Sequence, residues 1–277
     1  MDLQTYRETS LRIWDEMAPG WEDRREWILG VTGAINEWLV GQVDPQPGES
    51  ILDVAAGTGD LGFIAAERVG ADGKVLCTDF SPEMLEAARR NGERRSLSNV
   101  EYRVLDAERM GLDDNSVDGV LCRWGYMLMA DPAAALGETR RVLRDGGTLA
   151  FAVWQTPDRN PWAAIPGMTL VQRGHMPAPE PGAPGIFAMG QADHIVELVT
   201  GAGFNEPRLE ELTFEWRYAA DELWDTLTRL AGPLAAVING LPDEERRATR
   251  AAIEESLAQY RRDGEFVVPA ACWGVTA

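Results

Sequence analysis

A ten-residue segment, Ile51 to Asp60, combines residue types that bind ligands with residue types that shape a tight turn. It reads ILDVAAGTGD, so an apolar strand ends in a glycine turn that opens a helix. Gly57 and Gly59 let the backbone approach a ligand without a Cβ clash and leave free N–H groups at the start of that helix. Asp53 precedes the turn, where its carboxylate would attract a cationic group and repel a pyrophosphate.

Two further carboxylates follow the next two predicted strands. Asp79 comes after the strand Lys74–Thr78, and Asp106 comes after the strand Val100–Leu105. The carboxyl ends of parallel strands meet at one edge of a doubly wound sheet, and such sheets bind their ligands there. Together with Asp53, these residues predict an acidic crevice for a ligand that carries a positive charge, ribose hydroxyls and an adenine amino group.

A nicotinamide dinucleotide site is the second interpretation of the glycine turn. Gly57, Gly59 and Gly62 satisfy the pattern G-x-G-x-x-G, and an acidic residue follows about twenty residues later, as that fingerprint requires. The carboxylates Asp53 and Asp106 count against a bound pyrophosphate, and the chain has no Tyr-x-x-x-Lys motif. The alternative to a site for a cationic ligand is therefore the dinucleotide site of a nicotinamide-dependent oxidoreductase.

Four sequence blocks between Gly48 and Trp154 resemble one enzyme family in content and order. They read LDVAAGTGD, TDFSPEML, LDAERM and RRVLRDGGTLAFAVW. In these blocks the chain resembles the class I S-adenosylmethionine-dependent methyltransferases, and most closely the menaquinone and ubiquinone C-methyltransferase branch. The resemblance implies a methyltransferase that binds S-adenosyl-L-methionine and releases S-adenosyl-L-homocysteine.

The resemblance also implies roles for the residues around the crevice. The glycine turn and Asp53 would hold the methionine end of the cofactor, and Asp79 would accept from both ribose hydroxyls, with Phe80 and Met84 around the adenosine. Asp106 would accept from the adenine amino group, and the backbone N–H of the next residue would meet a ring nitrogen. The expected cofactor residues are Trp21, Asp53, Ala55, Gly57, Thr58, Gly59, Asp79, Phe80, Met84, Asp106, Ala107 and Arg123.

Two residues are candidates for catalysis on the methyl acceptor. Tyr126 follows the fourth predicted strand, and His175 lies in a proline-rich segment where an imidazole that titrates near neutrality could act as a base. The alternatives are that Tyr126 only shapes an apolar pocket and that His175 is an exposed loop residue without a role.

Five tryptophans favour a small, flat or lipophilic acceptor that is methylated on oxygen or carbon. They are Trp14, Trp21, Trp124, Trp154 and Trp162. For Trp21, packing over the core is the alternative to a contact with the cofactor. A protein that binds S-adenosylmethionine for non-methylating chemistry is a further alternative.

The composition fits a globular enzyme and argues against several other classes. Of the 277 residues, 45% are hydrophobic and 26% are charged, with a formal net charge of −19. That charge argues against nucleic-acid partners, whose phosphates need a basic surface. Cys77, Cys122 and Cys272 predict buried free thiols and no metal site, with a metalloid-binding trio as the alternative. The polar N-terminus and the lack of a long apolar run predict a cytoplasmic protein without a membrane span.

The order of predicted elements indicates an α/β fold with a doubly wound, Rossmann-like sheet. Seven strands are expected, mostly parallel, with an antiparallel last strand. Residues 1–47 would form a helical cap on a core of residues 48–277, which carries a lid insertion at 157–190 and a helical insertion at 220–263. Asp145-Gly146-Gly147 is expected to end the fourth helix, and Gly240-Leu241-Pro242 is expected to separate the two amphipathic helices of the helical insertion.

Overall fold

The computed structural model describes residues 2–180 and 182–277; Met1 and Pro181, which fall in the expected cap and lid, lie outside the described residues. The α-helices, α1 to α10, are Leu3–Asp23, Arg25–Val43, Asp60–Val69, Pro82–Arg94, Pro132–Val142, Pro161–Gln172, Ala192–Gly201, Ala220–Arg229, Pro233–Asn239 and Asp243–Ser256. The strands, β1 to β8, are Ser50–Val54, Lys74–Asp79, Val100–Val104, Val117–Arg123, Leu143–Trp154, Arg208–Ala219, Arg261–Arg262 and Glu265–Thr276.

All of these strands belong to one sheet. Its order is β3-β2-β1-β4-β5-β8-β6, and the two-residue β7 pairs with β8 off this path. Strands β1 to β5 pair in parallel, whereas β8 runs antiparallel to both β5 and β6. The predicted α/β fold with an antiparallel last strand is therefore confirmed, and the short β7 is an addition to the seven strands expected.

The central strands are apolar along their length because helices cover both faces of the sheet. Ile51, Leu52 and Val54 of β1 are buried, as are Val120 and Leu121 of β4. The strand order reverses at β1, which lies between β2 and β4. An open α/β sheet binds ligands outside the carboxyl ends of its strands at such a switch point, so the fold places the glycine turn after β1 at that position.

Helices α1 and α2, which we call the N-terminal cap, lie within the range 1–47 for which the sequence predicts a helical cap. Asp2 caps α1, since its side chain accepts from two backbone N–H groups of the first turn. Glu22, near the end of α1, accepts from the guanidinium groups of Arg90 and Arg94 of α4 at 2.6 and 2.8 Å. Helix α1 therefore contacts α4, the helix that follows β2.

One expected helix boundary is wrong, and the expected division of the helical insertion is incomplete. Helix α5 ends at Val142, and Asp145–Gly147 lies inside β5, where the pairing with β4 shifts register and Gly146 takes a φ of +79°. The residues expected to end the helix therefore form a bulge in the strand. The segment 240–242 separates α9 from α10 as expected, but the insertion contains a third helix, because Gly232, with a φ of +49°, and Pro233 separate α8 from α9.

We predict that Gly59, at the N-cap of α3, tolerates no side chain. Its φ is +88°, and a Cβ added there would lie 2.4 Å from Cζ of Phe63. Gly59→Ala should therefore lower the free energy of unfolding by about 2–4 kcal/mol, because left-handed strain adds to overpacking. Urea unfolding of the free protein measures this change.

Gly33→Ala is the matched control for this substitution. No atom lies within 4 Å of the Cβ that it would add. Gly33 lies inside α2, so alanine should raise the free energy of unfolding by about 0.5–1 kcal/mol. Equal effects at the two positions would contradict the packing argument for Gly59.

Candidate cofactor and acceptor site

A cavity of about 490 Å³ lies where the carboxyl ends of β1 to β4 meet the N-terminal cap. Asp53, Asp79 and Asp106 all line it, together with Gly57 of the glycine turn. The expectation that three successive strands bring these carboxylates to one crevice is confirmed. The parallel pairing of β1, β2 and β3 is the reason, because it aligns the ends of the three strands.

Asp53 is a buried carboxylate with one satisfied oxygen. Its Oδ2 accepts from the backbone N–H of Gly62 at 2.8 Å, whereas Oδ1 has no hydrogen-bond partner among the described residues. Burial raises the pKa of Asp53 to about 7, and the hydrogen bond from Gly62 and the charge of Arg123 oppose that rise. A buried oxygen without a donor fits the ammonium group of a ligand, because such oxygens are normally paired.

Asp79 connects the end of β2 to the glycine turn. Its Oδ2 accepts from the backbone N–H of Gly57 at 2.9 Å, and its Oδ1 accepts from the N–H of Ser81 at 2.9 Å. Burial raises the pKa of Asp79 to about 6 in spite of these hydrogen bonds. Each oxygen still has lone pairs to accept from ligand hydroxyl groups.

Arg123 is a partly buried cation held by helix α2. Its Nη1 donates to Thr32 Oγ1 at 2.8 Å and to Asn36 Oδ1 at 2.9 Å. The guanidinium lies 5.0 Å from the ring centroid of Trp124, and burial lowers the pKa of Arg123. Thr32 and Asn36 carry no sequence motif, so only the packing of α2 on the sheet reveals that they position this cation.

Most of the other expected cofactor residues also line the cavity. They are Trp21, Ala55, Thr58, Phe80, Met84 and Ala107. Trp21 comes from α1 and donates through Nε1 to the carbonyl of Leu230 at 3.2 Å. It therefore both borders the cavity and packs against the segment after α8, so its two interpretations are compatible.

Gly59 does not line the cavity, contrary to the expectation that it approaches the ligand. Its Cα faces Phe63 of α3 and Ala88 of α4. Of the two glycines in the turn, only Gly57 lines the cavity, and a Cβ on Gly57 would meet nothing within 4 Å. Gly59 is needed for helix packing, whereas Gly57 leaves its backbone open to a ligand.

The two catalytic candidates also lie outside the cavity. Tyr126 is fully buried, its hydroxyl lies 2.6 Å from Thr139 Oγ1, and burial raises its pKa well above the ordinary value. A short 3-10 turn after β4 directs this ring against Phe151, with centroids 5.2 Å apart. His175 lies after α6, and its Nε2 is 3.3 Å from Glu245 Oε2 of α10. Neither residue is placed to act on a ligand in the cavity.

Aromatic residues of β6 and α2 also line the cavity, and the sequence analysis missed them. Trp216 and Tyr218 of β6 border it beside Trp27 of α2, whose ring centroid lies 5.4 Å from that of Trp216 and 5.5 Å from that of Tyr218. Phe214, Trp216 and Tyr218 alternate along the strand, and this period of two places them on one face. That alternation was the signal available in the sequence.

Comparison with known proteins agrees with this geometry. A family model described as "Methyltransferase domain" matches residues 45–170. Over residues 45–170, the chain is therefore similar to methyltransferase domains. Its fold is similar to that of phosphoethanolamine N-methyltransferase 2 of Haemonchus contortus, solved in complex with S-adenosyl-L-methionine. The TM-score is 0.55 at 17% identity, covering 88% of this chain and 52% of that one.

Two curated proteins are similar in sequence within this domain. Aklanonic acid methyltransferase DauC of Streptomyces sp. is 37% identical over 113 residues, which are 41% of this chain and 51% of that protein. The ubiquinone/menaquinone biosynthesis C-methyltransferase UbiE of Stenotrophomonas maltophilia is 38% identical over 120 residues, which are 43% of this chain and 47% of that protein. The chain thus spans about half the length of these relatives, and the expected branch is among them.

The described residues include three cysteines, none of which forms a disulfide. Cys77, Cys122 and Cys272 are buried and unpaired, as expected. In residues 2–180 and 182–277, no three histidine, cysteine or acidic side chains are grouped so that they could hold a metal ion. Within the same residues, no helix is both long and apolar enough to cross a membrane.

The raised pKa values predict that cofactor affinity depends on pH near neutrality. Asp53 and Asp79 must be ionised to bind an ammonium group and ribose hydroxyls, and their pKa values are about 7 and about 6 in the free protein. Affinity for S-adenosylhomocysteine should therefore fall as the pH drops through this range, by up to about tenfold per pH unit for each carboxylate. Calorimetric titrations between about pH 5 and pH 8 measure this dependence.

Asp53→Asn distinguishes the contributions of the two carboxylates to this pH dependence. The variant should lose the change in affinity near pH 7 and keep the change that the titration of Asp79 causes. Because the pKa of Asp53 is higher in the folded than in the unfolded protein, its ionisation lowers stability as the pH rises from about 4 to about 7, and Asp53→Asn should abolish that loss. The exposed Asp145→Asn is the control and should match the wild type. An unchanged pH profile in Asp53→Asn would contradict this assignment.

Proposed function

We propose that this protein transfers the methyl group of S-adenosylmethionine to oxygen or carbon of a small aromatic or lipophilic acceptor. The observation that carries the proposal is the convergence of Asp53, Asp79 and Asp106 with the Gly57 turn on one cavity that continues into an aromatic region. The names of the similar proteins agree, since both are methyltransferases.

The acidic half of the cavity would bind the cofactor. In this proposal Asp53 Oδ1 accepts from the ammonium group, Arg123 faces the carboxylate of the methionine moiety, and Asp79 accepts from the ribose hydroxyls. Asp106 has one Oδ1 contact, to the N–H of Glu108 at 2.9 Å, and its remaining lone pairs would accept from the adenine amino group. When bound, the sulfonium supplies an electrophilic methyl group.

Apart from acidic side chains, of which the proposal assigns Asp53, Asp79 and Asp106 to the cofactor, the cavity contains no side chain that could act as a general base near neutrality. The described residues that line it include neither histidine nor lysine. In this proposal, the protein therefore accelerates the transfer by aligning an acceptor that ionises readily and by excluding water from it. Phenols and the enols of aromatic compounds meet this requirement. They lose a proton at moderate pH, and the anion then carries a nucleophilic oxygen or carbon atom.

Two other functions predict different ligand binding. A nicotinamide-dependent oxidoreductase would bind NADH, although a pyrophosphate would lie among ionised carboxylates. A protein with non-methylating chemistry would bind S-adenosylmethionine without transferring its methyl group. A binding comparison tests the first alternative, and methyl transfer from labelled S-adenosylmethionine to hydroxylated naphthalenes tests the second.

We predict that S-adenosylhomocysteine stabilises the protein and that NADH does not. At a concentration of about 100 times the Kd, a ligand of the native state adds about 2.7 kcal/mol of stability. This corresponds to a rise in Tm of roughly 5 °C for a chain of this size. A thermal shift with NADH and none with S-adenosylhomocysteine would refute the proposed function.

Asp79→Asn provides the comparison variant for that measurement. The amide can still accept from one of the two backbone N–H groups, so the turn should persist. It loses the charge that strengthens the hydrogen bonds from the ribose, and affinity for S-adenosylhomocysteine should fall at least about tenfold. Unchanged affinity in a folded variant would remove Asp79 from the cofactor site.

We also propose that residues 1–40 and 157–190 form a cover over the site. Side chains of α1, including Tyr6, Trp14 and Trp21, line the cavity, and so do Trp162 and Ile186 of the second segment. Several contacts between the cap and the core are ion pairs at the surface, such as Glu22 with Arg90 and Arg94, and such pairs contribute little stability. Closure of a cover by bound ligands would exclude water from the transfer.

Hydrogen exchange tests this cover. Amides of residues 157–180 and 182–190 and of α1 should exchange fast in the free protein and slowly with S-adenosylhomocysteine plus an acceptor. Strand β1 should stay protected in both states because it is buried at the centre of the sheet. If both segments are as protected as β1 without ligand, they form a static wall.

A further inference from the structure

Part of the cavity is lined by six aromatic side chains, which we call the aromatic chamber. These residues are Trp27, Trp124, Trp154, Trp162, Trp216 and Tyr218. Their rings contact one another: Trp124 and Trp154 stack with centroids 4.3 Å apart, and Trp162 lies 5.7 Å from Trp216. Flat side chains at these spacings present faces and edges that suit a planar aromatic ring.

Buried polar groups in and beside the chamber lack a hydrogen-bond partner. Trp124 Nε1, Trp216 Nε1 and Thr226 Oγ1 are buried without one among the described residues. Tyr218 also lines the cavity, and its hydroxyl makes no hydrogen bond to the described residues. Trp216, Tyr218 and Thr226 are only 6%, 2% and 7% exposed, and all three line the cavity. Buried polar groups are nearly always paired, and each unpaired one costs about 1–3 kcal/mol.

Trp216, Tyr218 and Thr226 lie on adjacent elements, so one ligand group could contact all three. Trp216 and Tyr218 are on one face of β6, with ring centroids 6.1 Å apart, and Thr226 is on α8, which follows β6 directly. Burial raises the pKa of Tyr218 well above its ordinary value, so its hydroxyl keeps its proton. An indole N–H and two hydroxyl groups can all donate, so oxygen atoms are their natural partners.

A cation beside the chamber also favours oxygen atoms with negative character. The guanidinium of Arg24 lies 4.8 Å from the ring centroid of Trp27, and its Nη1 pairs with Asp225 at 3.2 Å. Its Nε and Nη2 have no hydrogen-bond partner among the described residues. A ligand oxygen that gains negative charge would therefore be stabilised near this cation.

We propose that the aromatic chamber selects a planar aromatic acceptor that carries oxygen on its ring, and that Trp216, Tyr218 and Thr226 are the residues that recognise this oxygen. The inference rests on the proposed methyl transfer and narrows its acceptor class. A site built to donate to a ligand oxygen rejects the analogue without it, since the donors are then left unpaired in a buried place.

Isothermal titration of the full chain, saturated with S-adenosylhomocysteine, tests the inference with two probes. 1-Naphthol carries the ring oxygen, and naphthalene has the same ring system without it. The wild type should bind 1-naphthol at least about tenfold more tightly than naphthalene, because one or more donors gain a partner. Equal affinities, or no binding of either probe while S-adenosylhomocysteine binds, would overturn the inference and leave the proposed function standing.

Matched variants assign the preference to particular residues. Tyr218→Phe and Thr226→Val should together reduce the preference for 1-naphthol by roughly three- to tenfold or more and leave naphthalene affinity nearly unchanged. Tyr260→Phe and Thr228→Val are the controls, since neither residue lines the cavity, and they should keep the wild-type preference. A preference that survives in the Tyr218 and Thr226 variants would overturn the role of these residues.

The cofactor measurement distinguishes the two levels of failure. All four variants should bind S-adenosylhomocysteine with wild-type affinity, because none of them lies among the three carboxylates. If the wild type does not bind S-adenosylhomocysteine, the proposed function fails, and the inference about its acceptor fails with it. If it binds S-adenosylhomocysteine but shows no preference for 1-naphthol, only the inference fails.

Discussion

Two carboxylates buried at the carboxyl ends of β1 and β2 are the constraint on which the rest of the site depends. Burial disfavours their charge, as the raised pKa values of Asp53 and Asp79 show. Backbone N–H groups of Gly57, Gly62 and Ser81 are the donors that hold them in place. The glycine turn is therefore both the approach for a ligand and part of the support for the charges that bind it.

This arrangement couples ligand binding to stability. Gly62 approaches Asp53 so closely that a Cβ there would lie 2.9 Å from Asp53 Oδ2. The same carboxylate keeps a second oxygen without a partner among the described residues, which is unfavourable in the free protein. In the proposed complex a cation would pair with that oxygen, so Asp53 would stabilise the complex at the expense of the free protein, which is a common compromise at functional sites.

The acidic residues and the aromatic chamber come from different parts of the chain. The parallel strands β1 to β3 supply Asp53, Asp79 and Asp106. The chamber draws on the later strands, through Trp154 of β5 and the face of β6, and on Trp27 of α2 and Trp162 of α6. The matched family model covers residues 45–170 and leaves α2 before residue 45, β6 and α8 outside it. In the proposed function, the choice of acceptor would then depend partly on segments outside the matched domain.

The sequence by itself determined the parallel core, because glycine turns, helix caps and apolar strand runs are local signals. Strands β2 and β3 begin at the predicted residues, and each ends within one residue of its predicted end. The three carboxylates were also predictable, since each lies at or just beyond the carboxyl end of a strand. The break at Gly232 and Pro233 was missed, and the residues of the bulge at Gly146 were expected to end a helix, because the same residue types end helices, begin helices and bend strands.

Only the tertiary structure decided which side chains reach the cavity. Tyr126 lies in a turn that directs its ring into the core, His175 packs against α10, and Gly59 faces α4 instead of a ligand. Conversely, Tyr218 and Thr226 are distant in sequence from every motif and reach the cavity because β6 pairs with β8 at the far edge of the sheet. Local sequence patterns specify the elements, whereas the direction of a side chain depends on contacts between residues far apart in the chain.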